Sequence, residues 1–137
     1  MRSTAGAFLD TNVLVYAFTT DRRAAAAQAL LGCGCVTGVQ ALSEFTNVAR
    51  RKLGMTWQEV RDALAAIRTL CRAISPLDFG MHEEALRIAE RHGYAIFDAL
   101  IVAAALRARC AILYSEDMHD GMTIGGRLRI VDPFRRP

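Results

Sequence analysis

The sequence predicts an α/β protein, a sandwich built around a mostly parallel sheet of four or five short strands flanked by helices. Two observations carry this expectation. Short apolar runs such as "GAFL", "AILY" and "LRIV" alternate with longer segments of helical pattern, which is the rhythm of strand-helix-strand units. The chain is also 137 residues long, 53% hydrophobic and 23% charged, which suits one domain over 1–137 that buries a single core without disulfides.

Each element follows from local chemistry. "GAFLD" at 6–10 reads as a short buried strand, and "TNVLVYAF" after it as a turn or short helix, so Asp10 falls at the carboxyl end of a strand. "RRAAAAQALL" at 22–31 is helical by propensity, and the glycine-punctuated "GCGCVTG" at 32–38 breaks it and starts a second strand. "VQALSEFTNVARRKLG" places Leu42, Phe45, Val48 and Ala49 on one helical face with Glu44 beside it, and stops at Gly54 after a basic cluster, Arg50, Arg51 and Lys52. "TWQE" at 56–59 matches a capping box, with Thr56 as N-cap and Glu59 at N3, opening a helix through about Leu70.

"CRAISPLD" at 71–78 leaves a strand into a proline turn, and "FGMHEEALRIAERHG" is an amphipathic helix ending at Gly93. "YAIFDALIVAAALRARC" is apolar nearly all round and so reads as a central buried helix, interrupted by Asp98. "AILYSED" and "LRIVDPF" supply two more strands, the first running out into Glu116 and Asp117. Trp57 and Phe79, at helix starts, are expected to pack. No repeat or linker interrupts the series.

Composition narrows the function classes. The four cysteines, at 33, 35, 71 and 110, form no C-x-x-C pair and have no histidines at zinc-finger spacing, so they are expected to be reduced core residues. The early Arg2 precedes an apolar stretch that carries Asp10 and lacks a small-residue cleavage site, and no uncharged run reaches membrane-spanning length. A cytoplasmic protein with no membrane partner is expected. Arginine supplies 16 of the 17 basic residues, a planar fork suited to phosphate, although genomic base composition yields the same bias.

Three aspartates stand in apolar settings: Asp10 after a strand, Asp98 in a buried helix, and Asp117 after "AILYS". An unpaired buried carboxylate costs several kcal/mol or takes up a proton, so a shared cation is the economical partner. Strand ends converge on one edge of a parallel sheet, and Glu44, early in its helix, closes the ring. A cluster of Asp and Glu without His or Cys selects a hard ion, Mg²⁺ with Mn²⁺ as the alternative, and disfavours zinc. Such an ion activates water for hydrolysis of a phosphodiester. Each acid also has a purely structural use: Asp10 as a helix cap, Asp98 at a helix N-terminus.

Taken in order, "LDTNVLVYA", the acid in "LSEFTNVARRK", "FDALIVAAA" and "LYSEDM" resemble the four acidic motifs of the PIN-domain nucleases, across essentially the whole chain. The compact length resembles the VapC-type toxins of bacterial type II toxin-antitoxin pairs. The resemblance implies a PIN-like three-layer sandwich and a Mg²⁺- or Mn²⁺-dependent endoribonuclease with Asp10, Glu44, Asp98 and Asp117 as catalytic metal ligands. It matches Asn12 and Ser115 to small polar positions that steady the pocket, with Thr11 as a weaker candidate. It further implies an RNA substrate, a small cognate antitoxin and a homodimer.

Of the adjacent acids Glu116 and Asp117, alternation of faces lets one point inward, and Asp117 is the choice. Asp120 is expected to be a solvated loop residue, and Arg135 and Arg136 solvated tail residues. Arg50, Arg51 and Lys52 are candidate RNA contacts, with favourable positive charge at a helix C-terminus as the structural alternative. His82, His92 and His119 lie outside any acid-rich setting. The main competing reading is a non-catalytic PIN-like module for RNA or protein, against which the intact four acids argue. In a phosphoryl-aspartate phosphatase the acid expected two residues after Asp10 would be Asn12, and a receiver-like domain finds no lysine except Lys52.

Overall fold

The computed structural model describes residues 6–135, so Arg2 and Arg136 lie outside them. The described elements are β1 (Ala7–Leu9), α1 (Thr11–Tyr16), α2 (Ala24–Leu31), β2 (Val36–Gly38), α3 (Val39–Arg51), α4 (Trp57–Leu70), β3 (Ala73–Ser75), α5 (Phe79–His92), α6 (Ile96–Arg107), β4 (Ile112–Tyr114), β5 (Thr123–Ile124) and β6 (Leu128–Val131). The expected capping box forms in full, with the Thr56 hydroxyl accepting from Glu59 N–H and the Glu59 carboxylate accepting from Thr56 N–H. Gly93 ends α5 in the left-handed conformation that a side chain resists.

The sheet runs β3-β2-β1-β4-β6-β5, parallel except for β5, which pairs antiparallel with β6. Six described strands therefore replace the expected four or five. The extra one is a two-residue edge joined to β6 through Gly125 and Gly126, both at positive φ. Two residues carry no readable alternation, and the Gly-Gly pair between "TI" and "RLRI" was the available signal.

Strand order explains the layers. From β1 the chain steps to β2 and then β3 in one direction, and from β3 it crosses back to β4 on the far side of β1. Right-handed crossovers put α1–α4 on one face and α5 with α6 on the other, which gives a three-layer sandwich. The reversal lies between β1 and β4, the position at which open α/β sheets form a crevice outside their carboxyl ends.

Phe8, Leu9, Val36, Leu113 and Ile130 fill the sheet, packed between Leu14, Phe45 and Ile67 on one side and Met81 with α6 on the other. Seven consecutive residues of α6, Ala99 to Ala105, are buried, as its all-round apolar sequence requires. Gly38 allows close packing where β2 meets α3: a Cβ there would sit 3.2 Å from the Phe8 ring.

Two packing expectations fail. Cys33 is exposed, while Cys35, Cys71 and Cys110 are buried and all four are free thiols, Cys35 Sγ lying 3.4 Å from Cys71 Sγ. Trp57 and Phe79 are exposed, Trp57 with the Arg50 guanidinium 4.4 Å over its ring. The first turn of a helix points side chains past its end, and neither residue meets a second layer there. Among the described residues no helix is long and apolar enough to cross a membrane.

Candidate acidic active site

The β1–β4 ladder pairs Leu9 with Tyr114, and Asp10 N–H extends it by donating to Tyr114 O at 3.0 Å. One residue past the ladder on each strand stand Asp10 and Ser115, both buried. The Ser115 hydroxyl donates to Asp10 Oδ2 at 2.8 Å, and Thr11 N–H donates to Oδ1 at 2.7 Å, so Asp10 also caps α1. Burial pushes the Asp10 carboxyl up to about 6. The two hydrogen bonds oppose that rise, and the charges of Asp98 and Glu44 add to it.

Glu44 reaches the same place from α3. Its Oε1 accepts from the Thr11 hydroxyl at 2.9 Å and its Oε2 from Gln40 Nε2 at 2.7 Å. Gln40, one turn earlier, also donates to Phe97 O at 3.0 Å and so ties α3 to the start of α6. Asp98 lies in the first turn of α6, whose N-cap, Ala95, offers no side-chain cap. The helix-terminus role foreseen for it is therefore available, yet its carboxyl is raised, by burial first and then by the charges of Asp117 and Glu44. No hydrogen-bond donor among the described residues reaches it.

Asp117 Oδ2 accepts from Asn12 Nδ2 at 3.1 Å, and its N–H donates to Ser115 Oγ at 3.3 Å. Asn12 Oδ1 accepts in turn from Glu116 N–H at 3.3 Å, so one amide holds both residues of the loop after β4. The Glu116 side chain points elsewhere. It accepts from the Tyr16 hydroxyl at 2.8 Å and pairs with Arg23 at 2.6 Å, while Arg23 stacks 4.3 Å over the Tyr16 ring and also holds Asp21. Burial and the bond to Glu116 raise the Tyr16 phenol to about 12.

Sequence reasoning missed Gln40, Tyr16 and Arg23 as supports. Gln40 had a usable signal, being four residues before Glu44 on one helix face. The partners of Glu116 had none. Asp120 is an exposed loop residue, as expected, and it also pairs with Arg135 at 2.7 Å and accepts from Asp132 N–H at 2.8 Å. Within the basic cluster Arg50 donates to Met55 O, Arg51 is exposed, and Lys52 lines the cleft that Glu44 and Asp117 also line. His82 and His119 are exposed and His92 half-buried.

A cleft of about 1100 Å³ opens over Glu44 and Asp117, lined on its polar side by these two with Thr11, Asn12 and Gln40 and on its apolar side by Val15, Val48, Leu77 and Phe97, while Asp10 and Asp98 are not on its wall. The charges of neighbouring acids add to the burial that raises the Asp10 and Asp98 carboxyls, and the nearby cation Arg23 is committed to Asp21 and Glu116. The carboxylates are not drawn into a closed ligand shell, since no metal-holding group of three His, Cys, Asp or Glu side chains forms among the described residues. Thr11, Gln40 and Asn12 each hold a carboxylate oxygen instead. Oxygen donors in excess of cations fit a hard divalent ion and not zinc.

The PIN-domain family model matches residues 7–119. The chain belongs to the PIN-domain family. Two solved structures share the fold of this PIN domain. One is VapC20 of Mycobacterium tuberculosis, described as a toxin that cleaves the sarcin-ricin loop: 22% identity, 82% of this chain and 90% of that one, TM-score 0.67. The other is a toxin-antitoxin complex from Klebsiella pneumoniae: 22% identity, 96% of this chain and 100% of that one, TM-score 0.71. No curated protein matches the sequence significantly.

Proposed function

We propose that this PIN domain is a Mg²⁺-dependent endoribonuclease, with Mn²⁺ as an alternative ion, and the toxin of a cytoplasmic toxin-antitoxin pair. The observation that carries the reading is the set of four carboxylates, Asp10, Glu44, Asp98 and Asp117, gathered near the reversal point of the sheet, where burial and then the charges of neighbouring acids raise the Asp10 and Asp98 carboxyls. The toxin assignment follows the likeness in fold to VapC20 and to the toxin-antitoxin complex. It brings with it a small antitoxin as partner and a homodimer as the working form.

When bound, the ion lowers the pKa of a coordinated water and neutralises charge on the attacked phosphate. The chain's own residues do the rest. Asp10, Glu44, Asp98 and Asp117 would hold the ion. Ser115 and Thr11 N–H keep Asp10 largely ionised at neutral pH against the pull of burial. Thr11 and Asn12 fix Glu44 and Asp117, whose carboxylates would otherwise repel and drift. Lys52, at the cleft wall, supplies a cation for the RNA backbone outside the acidic centre.

Purified protein is expected to cleave RNA with Mg²⁺ or Mn²⁺ and to stop in EDTA, read by mapping the new RNA ends. Equal cleavage in EDTA would overturn the metal-dependent reading. A short upstream reading frame with a DNA-binding fold is expected beside the gene, and a solitary gene would count against the toxin assignment.

A further inference from the structure

We infer that the groove between α3 and α4 carries the RNA backbone flanking the scissile bond, with Arg61 and Arg68 as its phosphate contacts; this rests on the ribonuclease reading above. The groove has a volume of about 450 Å³ and an apolar floor that includes Leu42 and Leu64. Its continuity with the acidic cleft is built into α3. Glu44 faces the cleft, Leu42 faces the groove, and Ser43 between them lines both. A single strand leaving the carboxylates crosses α3 at Ser43, where a small hydroxyl side chain leaves room and offers a donor to a phosphate.

Charge selects the occupant. Arg61 and Arg68 are exposed on α4, seven residues and so roughly 10 Å apart along the helix. Neither makes an ion pair or hydrogen bond among the described residues, whereas Arg23, Arg107 and Arg135 are each held by a carboxylate. The acid next to Arg61 in sequence, Asp62, accepts from Gln58 instead. Two unpaired guanidinium forks above an apolar floor suit phosphates with bases or riboses laid against Leu42 and Leu64. An acidic peptide shares the charge but not the reason for continuity with a cleft that attacks phosphodiesters.

The test compares wild type with Arg61→Gln/Arg68→Gln on two single-stranded RNAs that carry a cleavage site mapped with wild type. One has about ten nucleotides on each side of the site, and the other about two, too short to pass Ser43. For the long RNA the double variant is expected to raise KM roughly tenfold, and to flatten the dependence of log KM on log salt by about 1.4, two single-strand phosphates at about 0.7 each. kcat on the long RNA and kcat/KM on the short one are expected to change by less than about twofold, a KM-only loss that separates backbone binding from chemistry. An unchanged long-RNA KM in an active, folded variant overturns the assignment and leaves the groove to an acidic peptide or a second copy of the chain. No cleavage by wild type defeats the ribonuclease reading itself, a distinguishable result.

Discussion

Asp10→Asn is expected to lower RNA cleavage by at least about 100-fold, the usual scale for losing one charge-stabilising group in an enclosed site. In EDTA the same variant is expected to be more stable than wild type above pH 6. The sign follows from the raised pKa. The folded carboxyl holds its proton up to about 6 while the unfolded one releases it near 3.8, so between those values the folded state binds more protons. Wild-type stability is then greatest below 3.8 from this source and is lost as pH rises through 6. That gap is worth about 3 kcal/mol for a group this buried. Asparagine keeps an acceptor for Thr11 N–H and carries no charge to bury. Thermal unfolding in EDTA at pH 5 and pH 8 checks this: wild type falls more steeply with pH than Asp10→Asn, whose remaining slope comes from Asp98, raised in the same direction. Parallel pH profiles for the two proteins would show that Asp10 is not strained in its charged form.

Phe45→Ala is expected to be the most destabilising single change near the site, at about 3–5 kcal/mol and on the order of 10–20 °C in Tm. Phe45 is fully buried in α3 and meets Phe18 edge-on with ring centroids 5.4 Å apart. It follows Glu44 directly, so the ring that anchors α3 also fixes where that carboxylate stands. At a temperature where the variant is still folded, its cleavage is expected to fall less than that of Glu44→Gln, because the ligand remains. A loss below about 1 kcal/mol by chemical denaturation would mean that the cavity collapses freely and that α3 is not held by this ring.

What the sequence revealed, and what it hid, divides by the range of the interaction. The Thr56 capping box, the Gly93 stop and the buried run of α6 depend on neighbours a few residues away, and their patterns are written in the chain. The positions of Asp10 and Asp117 were legible for a related reason: an acid after an apolar strand is placed by that strand, and parallel strands share one edge. Glu116 was resolved only in part, since alternation of faces separated it from Asp117 without naming Tyr16 and Arg23, which lie 100 and 93 residues away. The partner of Asp120 was also hidden: Arg135 is only 15 residues on, but β5 and β6 lie between them and no local pattern links the two. β5 escaped because two residues have no period. Trp57 was misjudged because a helix start next to a basic cluster offers a ring either a core or a guanidinium, and Arg50 supplied the second.

The central claim is that the four carboxylates act as one divalent-cation site. Calorimetric titration of metal-free protein with Mn²⁺ tests it most directly, with wild type beside Asp10→Asn and Asp98→Asn, each verified as folded by its melting curve. Wild type is expected to bind Mn²⁺ with a rise in Tm, and both variants to bind at least about tenfold more weakly with little rise, as for the loss of a metal ligand or its support. Undiminished Mn²⁺ affinity in both variants would contradict the site.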